Sequence, residues 1–293
     1  MKNIIIVTGA ASGLGKEFTM QYNKDNIDEI WAIDRDKEKL NELKKTIDKV
    51  IPIVIDLSKQ EEILKYKEKL EKEKPNILLL GNFAGFGKFD HSENIDTDIK
   101  LNMIDVNVKA PVTLIDYSLP YMKEESKIVN IASCAGFQPI PYINDYAATK
   151  AFLISYSRAL NKELKYRKIH VLTVTPYWTK TNFFDRAVIK EQKEVVIKYD
   201  VMYDPKDVVK KIIKDLNKNK EMSVYGKLNK AQRLLVKILP HKLVMSIWMK
   251  KQKYDGTPDI RNWKVQFLYF LWYNHSRSMI YEKDDKRLFR KWL

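Results

Sequence analysis

The sequence predicts a doubly wound, mostly parallel α/β sheet with helices on both faces and a helical C-terminal extension. Three observations carry that prediction. Short apolar runs recur at residues 4–8, 30–33, 51–55, 77–80, 127–131 and 169–175, as strands buried on both faces of a parallel sheet require. Charged stretches such as 37–47 and 61–72 lie between them, with apolar residues spaced three and four apart, the period of an amphipathic helix. A loop of small residues, Thr8-Gly9-Ala10-Ala11-Ser12-Gly13-Leu14-Gly15, follows the first run directly. Strand–helix alternation of this kind gives right-handed crossovers and one continuous sheet.

The chain has 293 residues, enough for one large α/β domain with a substantial core. Cys134 is the single cysteine, which excludes an internal disulfide, and the four histidines lack clustered Cys or Asp partners, so no metal signature emerges. Met1-Lys2-Asn3 runs straight into the first strand, too short for a signal peptide. No apolar run approaches the roughly 20 residues that span a bilayer. A cytoplasmic location is the expectation. The formal charge of +15 is concentrated: residues 226–293 hold 16 Lys/Arg against 5 Asp/Glu, a net +11. No zinc, basic-zipper or RNA-binding signature accompanies it, so nucleic acid is not an expected partner. Lys-rich solvated faces plus a basic terminal segment account for the excess.

Taken in order, the first strand closes on Thr8, and the loop after it lets the chain turn tightly and bring backbone N–H groups against a pyrophosphate at a helix N-terminus. Three residues separate its first two glycines, which resembles the short-chain dehydrogenase/reductase family. That resemblance implies a Rossmann-type dinucleotide-binding catalytic domain over 1–225, with Gly9, Ser12, Gly13, Leu14 and Gly15 against the cofactor. The second strand ends in Asp34, where an acid accepts hydrogen bonds from ribose hydroxyls and repels a 2′-phosphate, so NAD is expected over NADP. Arg35, directly after it, could stack on adenine or meet a phosphate. Asp56-Leu57 resembles the family's adenine-contacting pair, or caps the following helix. Asn82-Phe83-Ala84-Gly85 resembles the family's Asn-Asn-Ala-Gly turn with Phe83 in place of the second Asn, leaving Asn82 and Ala84 as cofactor contacts.

Tyr146-Ala147-Ala148-Thr149-Lys150 places a phenol and an ammonium four residues apart on one helical face. A nearby cation favours phenolate and would bring Tyr146 towards the range of acid–base catalysis. Ser133 ends the fifth strand thirteen residues earlier, the interval that the family shows. Asn107, in Ile104-Asp105-Val106-Asn107-Val108, is the position at which the resemblance implies a slightly opened helix holding a water against the lysine; Pro111 also suggests a distortion there. The resemblance thus implies a catalytic set of Asn107, Ser133, Tyr146 and Lys150, the last two also touching cofactor. Cys134 reads as a packing residue.

After the sixth strand, Pro176-Tyr177-Trp178-Thr179-Lys180-Thr181 resembles the family's Pro-Gly-x-x-x-Thr, implying nicotinamide contacts from Pro176, Thr179 and Thr181. Tyr177 stands where the family has glycine. Residues 182–204 are expected to form a mobile lid, and Asp204-Pro205 to start the next helix. Beyond 225, residues 228–239 and 242–251 read as amphipathic helices broken at Pro240-His241. Trp263, Phe267, Phe270, Leu271 and Trp272 form an aromatic face that packs on the catalytic domain or a second subunit, or meets a membrane surface. The expected activity is hydride transfer between a nicotinamide and a secondary alcohol or ketone. Phe86, Phe137, Tyr142, Trp178, Phe183 and Phe184 suit a bulky apolar substrate, hydroxysteroid- or bile-acid-like. Alternatives are a 3-oxoacyl reductase and a membrane-associated NAD-binding protein. A homodimer or homotetramer is expected.

Overall fold

The computed structural model describes residues 1–187 and 195–252. Strands β1 (Asn3–Thr8), β2 (Glu29–Asp34), β3 (Val50–Val54), β4 (Asn76–Asn82), β5 (Lys127–Ile131), β6 (His170–Val174) and β7 (Met222–Ser223) form one sheet in the order β3-β2-β1-β4-β5-β6-β7. All six pairings are parallel. The order reverses at β1, so the carboxyl ends of β1 and β4 border the crevice where such sheets take ligands.

Period-two alternation distributes the core. Ile5 and Val7 face one layer, with Phe18, Tyr22, Leu40, Leu43, Val209 and Ile212. Ile4 and Ile6 face the other, with Ile63, Tyr66, Leu70, Leu114, Ile115 and Leu160. The helices are α1 (Gly13–Gln21), α2 (Lys37–Thr46), α3 (Gln60–Glu73), α4 (Thr97–Ile104), α5 (Ala110–Ser118), α6 (Asn144–Glu163), a short α7 (Phe183–Ala187), α8 (Pro205–Asn217), α9 (Lys227–Ile238) and α10 (His241–Lys251), and those side chains come from α1, α2, α3, α5, α6 and α8. Asp204 caps α8 as expected, accepting from Lys206 N at 2.8 Å. Asp56 does not cap α3: that position belongs to Lys59. Glu62 instead reaches back to the Asp56 amide at 2.7 Å.

The expected strands appear with ends shifted by a residue or two, but β7 was not expected. Two residues are too few to show a period. It is held by Thr173 and Thr175 amides donating to Glu221 and Ser223 carbonyls, both at 3.0 Å. Beneath it, buried Asp215 pairs with Lys211 and Lys220 and accepts from Ser223 Oγ at 2.8 Å.

Between α4 and α5 the helix widens into a single π turn, Asp105–Lys109, around Asn107. Pro111 has no N–H to give the Asn107 carbonyl, and the Ala110 amide bonds the carbonyl five residues back, on Asp105. Such π turns recur at functional sites.

The chain separates into two compact units, Met1–Met245 and Ser246–Leu293. The aromatic positions Trp263, Phe267, Phe270, Leu271 and Trp272, like residues 188–194 of the expected lid, lie outside the described residues.

Thr8 Oγ1 accepts from the Phe83 and Ala84 amides, both at 3.1 Å, drawing the turn after β4 against the glycine loop. Gly9 has φ +65°, and a Cβ there would lie 2.9 Å from Ala84 Cα and N. Gly9→Ala should therefore cost on the order of 1–3 kcal/mol through backbone strain and overpacking. Denaturant unfolding checks this; a midpoint unchanged from wild type would contradict the packing described.

Candidate active site

The dinucleotide groove is bounded by residues remote in sequence. Asp34 Oδ2 accepts from the Ala11 amide at 3.1 Å, tying the end of β2 to the glycine loop. Across the groove, Thr181 Cβ lies 3.4 Å from where a Gly13 Cβ would stand. The first turn of α1 has no side-chain cap from Ser12, so the amides of Gly13, Leu14 and Gly15 are those that a phosphate would meet. Asp56 accepts from Ser58 N at 3.0 Å and Ser58 Oγ at 2.8 Å. Burial works against its charge, but those bonds and the Arg35 guanidinium hold its carboxyl below the usual range. Leu57 is buried in the core, so its side chain is not a groove contact. A clear floor, an acid at the ribose position and uncapped amides fit a nicotinamide dinucleotide.

Asn82 and the segment from Pro176 to Thr179 also have partners within the fold. Asn82 Nδ2 donates to Asn130 Oδ1 at 2.8 Å, and Asn130 Nδ2 to Ser157 Oγ at 2.9 Å. This buried amide chain knits β4 and β5 to α6, spending the Asn82 amide nitrogen inside the fold. Tyr177 adopts no positive φ. Its ring packs edge-on against Tyr203, 6.3 Å away, and its hydroxyl donates to Asp200 Oδ2 at 2.8 Å. The aromatic at the family's glycine position thus reshapes the wall, joining residue 177 to the far end of the lid segment. Tyr203 N donates to Trp178 O at 2.8 Å and Lys180 N to Tyr203 O at 2.9 Å. Pro176 O accepts from Cys134 N at 3.1 Å, and buried Thr179 bonds the Tyr177 carbonyl at 2.9 Å.

The catalytic candidates converge. Asn107 is fully buried; its Nδ2 donates to Phe86 O at 2.8 Å and Thr149 Oγ1 at 3.1 Å, and its Oδ1 accepts from Phe86 N at 3.1 Å. Lys150 Nζ donates to Ile131 O at 2.8 Å and lies 5.6 Å from the Tyr146 ring centroid. Gly85 sits between them: a Cβ there would lie 3.0 Å from Asn107 Oδ1 and 3.1 Å from Lys150 Nζ. Ser133 lies two residues beyond β5, its Oγ accepting from the Ala135 amide at 3.1 Å, and its hydroxyl favours the ionised form of the Tyr146 phenol. Burial raises the Tyr146 phenol well above its ordinary value, Ser133 only partly opposing it. Burial also lowers Lys150 to about 7. Depression of the phenol by the lysine, expected from their spacing, is not found: desolvation opposes charge on both groups. Cys134 is buried, its thiol pushed up to about 12, in keeping with a packing role.

Over Tyr146 lies an aromatic cover. Phe183, opening α7, is 5.4 Å from the Tyr146 ring and Phe89 6.5 Å. Trp178 meets Phe89 at 6.1 Å and Phe184 at 5.8 Å. The Phe89 amide donates to Ala187 O at 2.9 Å, fastening α7 to the loop after β4. Phe137 lies under Arg233 at 5.9 Å, Phe86 under Arg186 at 4.9 Å, and Tyr142, at φ +68°, meets His91 at 4.6 Å. Phe89, Thr149 and Arg186 were not singled out from sequence; they sit in ordinary apolar, helical and charged contexts with no spacing to mark them.

A family described as short chain dehydrogenase matches residues 3–216. The chain belongs to that family. Hydroxysteroid dehydrogenase-like protein 1 of Gallus gallus is 32% identical over 180 residues, covering 59% of this chain and 54% of that protein. The 3-oxoacyl-[acyl-carrier-protein] reductase of Thermotoga maritima is 30% identical over 196 residues, covering 65% and 79% respectively. In structure, a short-chain dehydrogenase from Sphingobium yanoikuyae in complex with NADPH superposes with a TM-score of 0.67 at 22% identity, over 81% of this chain and 96% of that one. At that identity the likeness concerns the fold. The chain spans about half of the chicken relative's length.

For this short-chain dehydrogenase, Lys150 carries a consequence for stability. Between about pH 7 and the unfolded lysine value of roughly 10.4, the unfolded chain binds a proton that the native Lys150 does not. Its contribution to stability therefore rises with pH across that window. Denaturant unfolding should show a larger gain from pH 7 to pH 10 in wild type than in Lys150→Met. Parallel profiles would contradict the burial assigned to the amine.

Proposed function

We propose that the protein interconverts a secondary alcohol and a ketone on a bulky apolar substrate, hydroxysteroid- or bile-acid-like, preferring NAD to NADP. The observation that carries this reading is the convergence of Ser133, Tyr146 and Lys150 at the end of β5 beneath the aromatic cover. A bound nicotinamide supplies the hydride. Tyr146 holds the proton for the substrate oxygen, and Ser133 hydrogen-bonds and orients that oxygen. Burial opposes ionisation of the Tyr146 phenol, and the protonated phenol is the state that donates to a ketone. Lys150, anchored on Ile131, stands beside the phenol and the groove, and Asn107 fixes the loop through Phe86. Phe183 and Phe89 exclude water from the reacting oxygen.

NAD preference rests on Asp34 at the end of β2, beside the glycine loop. A homodimer is supported by apolar residues left in solvent on α4 and α6: Leu101, Ile104 and Phe152, the last stacked on Tyr156 at 5.7 Å. The single cysteine suits a reducing, cytoplasmic setting. Similarity to the Thermotoga maritima reductase supports a second reading, reduction of a 3-oxoacyl chain.

Tyr146→Phe removes one oxygen and leaves the ring packing. Turnover of steroid ketones should fall at least about 10²-fold with dinucleotide affinity little changed; near-normal turnover would remove Tyr146 from the chemistry. A wild type that reduces 3-oxoacyl thioesters but no steroid ketone would favour the second reading.

A further inference from the structure

Helix α9 is turned inside out relative to an ordinary surface helix. Its buried positions are Asn229 and Val236, while Leu228, Leu234, Leu235 and Ile238 are 48%, 64%, 52% and 65% exposed. At 3.6 residues per turn these four fall on one stripe, opposite Asn229 and Val236. Lys230 and Lys237 project along one border of the stripe, and Lys227 begins it. Helices normally bury such residues, and a contiguous apolar patch left in water marks an interaction site.

The occupant is selected by charge. Residues 226–254 contain no Asp or Glu and eight Lys/Arg. An apolar stripe whose charged neighbours are all cations matches the interface of an anionic bilayer, where Leu and Ile enter the acyl boundary and ammonium groups stay at phosphate depth. Among the described residues no helix is long and apolar enough to cross a membrane, so the contact is with the surface. We infer that α9 is a docking helix for anionic phospholipid, its stripe of Leu228, Leu234, Leu235 and Ile238 inserted and its lysines on the headgroups.

The attachment of α9 gives this docking a consequence. Asn229 Nδ2 donates to the Thr175 carbonyl, just beyond β6, at 2.7 Å, and Arg233 lies over Phe137 in the turn that follows Ser133. The buried face of the helix thus rests on the rim of the catalytic cleft while its opposite face meets lipid. A substrate dissolved in the bilayer would reach the cleft without crossing bulk water. The docking stands whichever ketone is reduced.

The test uses the full chain and flotation with two kinds of vesicle, phosphatidylcholine alone and phosphatidylcholine with a quarter phosphatidylserine. Wild type should float with the anionic vesicles, and the bound fraction should fall as sodium chloride rises. Leu234→Ser with Leu235→Ser and Ile238→Ser should lower partitioning at least tenfold, leaving thermal midpoint and NADH affinity unchanged. Lys230→Gln and Lys237→Gln should each lower it roughly fivefold. The inference is overturned if wild type does not float, if the triple variant floats as wild type does, or if that variant changes the mass in solution, which would assign the stripe to a second copy.

Discussion

The candidate active site depends on one buried amide. Asn107 makes three hydrogen bonds at zero exposure, two to the backbone of Phe86 and one to Thr149. Phe86 belongs to the loop after β4 and Thr149 to α6, so one side chain sets the distance between the groove and the helix that carries Tyr146. An unpaired amide at that depth would cost roughly 1–3 kcal/mol, and the surrounding backbone is shaped to avoid it. The π turn and Pro111 supply the local widening. Lys150 completes the frame by holding α6 to the Ile131 carbonyl.

Desolvation is the second organising constraint. Tyr203 is strapped to residues 178–180, and Phe183 and Phe89 lie over Tyr146. Desolvation opposes charge on both the phenol and the amine. The pair therefore favours the neutral acid. Coulombic attraction alone, the argument available from spacing, favours the opposite state, and burial decides between them.

Much of this was legible in the sequence because the signals were local. Strands β1 to β6 show as apolar runs, the Tyr146–Lys150 pair as a helical spacing, and the cap of α8 as Asp204-Pro205. Long-range structure was not legible. β7 is two residues long and owes its place to Thr173, Thr175 and Asp215. Asp56 could have been a cap by residue type, yet Lys59 holds that position and Glu62 satisfies the Asp56 amide. Tyr177 read as an intrusion at a glycine position, whereas its hydroxyl and ring join Asp200 and Tyr203. The outward stripe of α9 looked like an ordinary amphipathic helix, because period alone does not say which face is buried.

The central claim is that hydride passes between a nicotinamide and a carbonyl carbon of an apolar substrate held beneath Phe183. Incubating the protein with NADH deuterated at both C4 positions of the nicotinamide and a panel of bulky ketones, then locating the label by mass spectrometry, tests it most directly. Deuterium should appear on the carbinol carbon, on a single face, and should not exchange with water. Product formed without label, or no product from any ketone in the panel or any 3-oxoacyl thioester, would contradict the account.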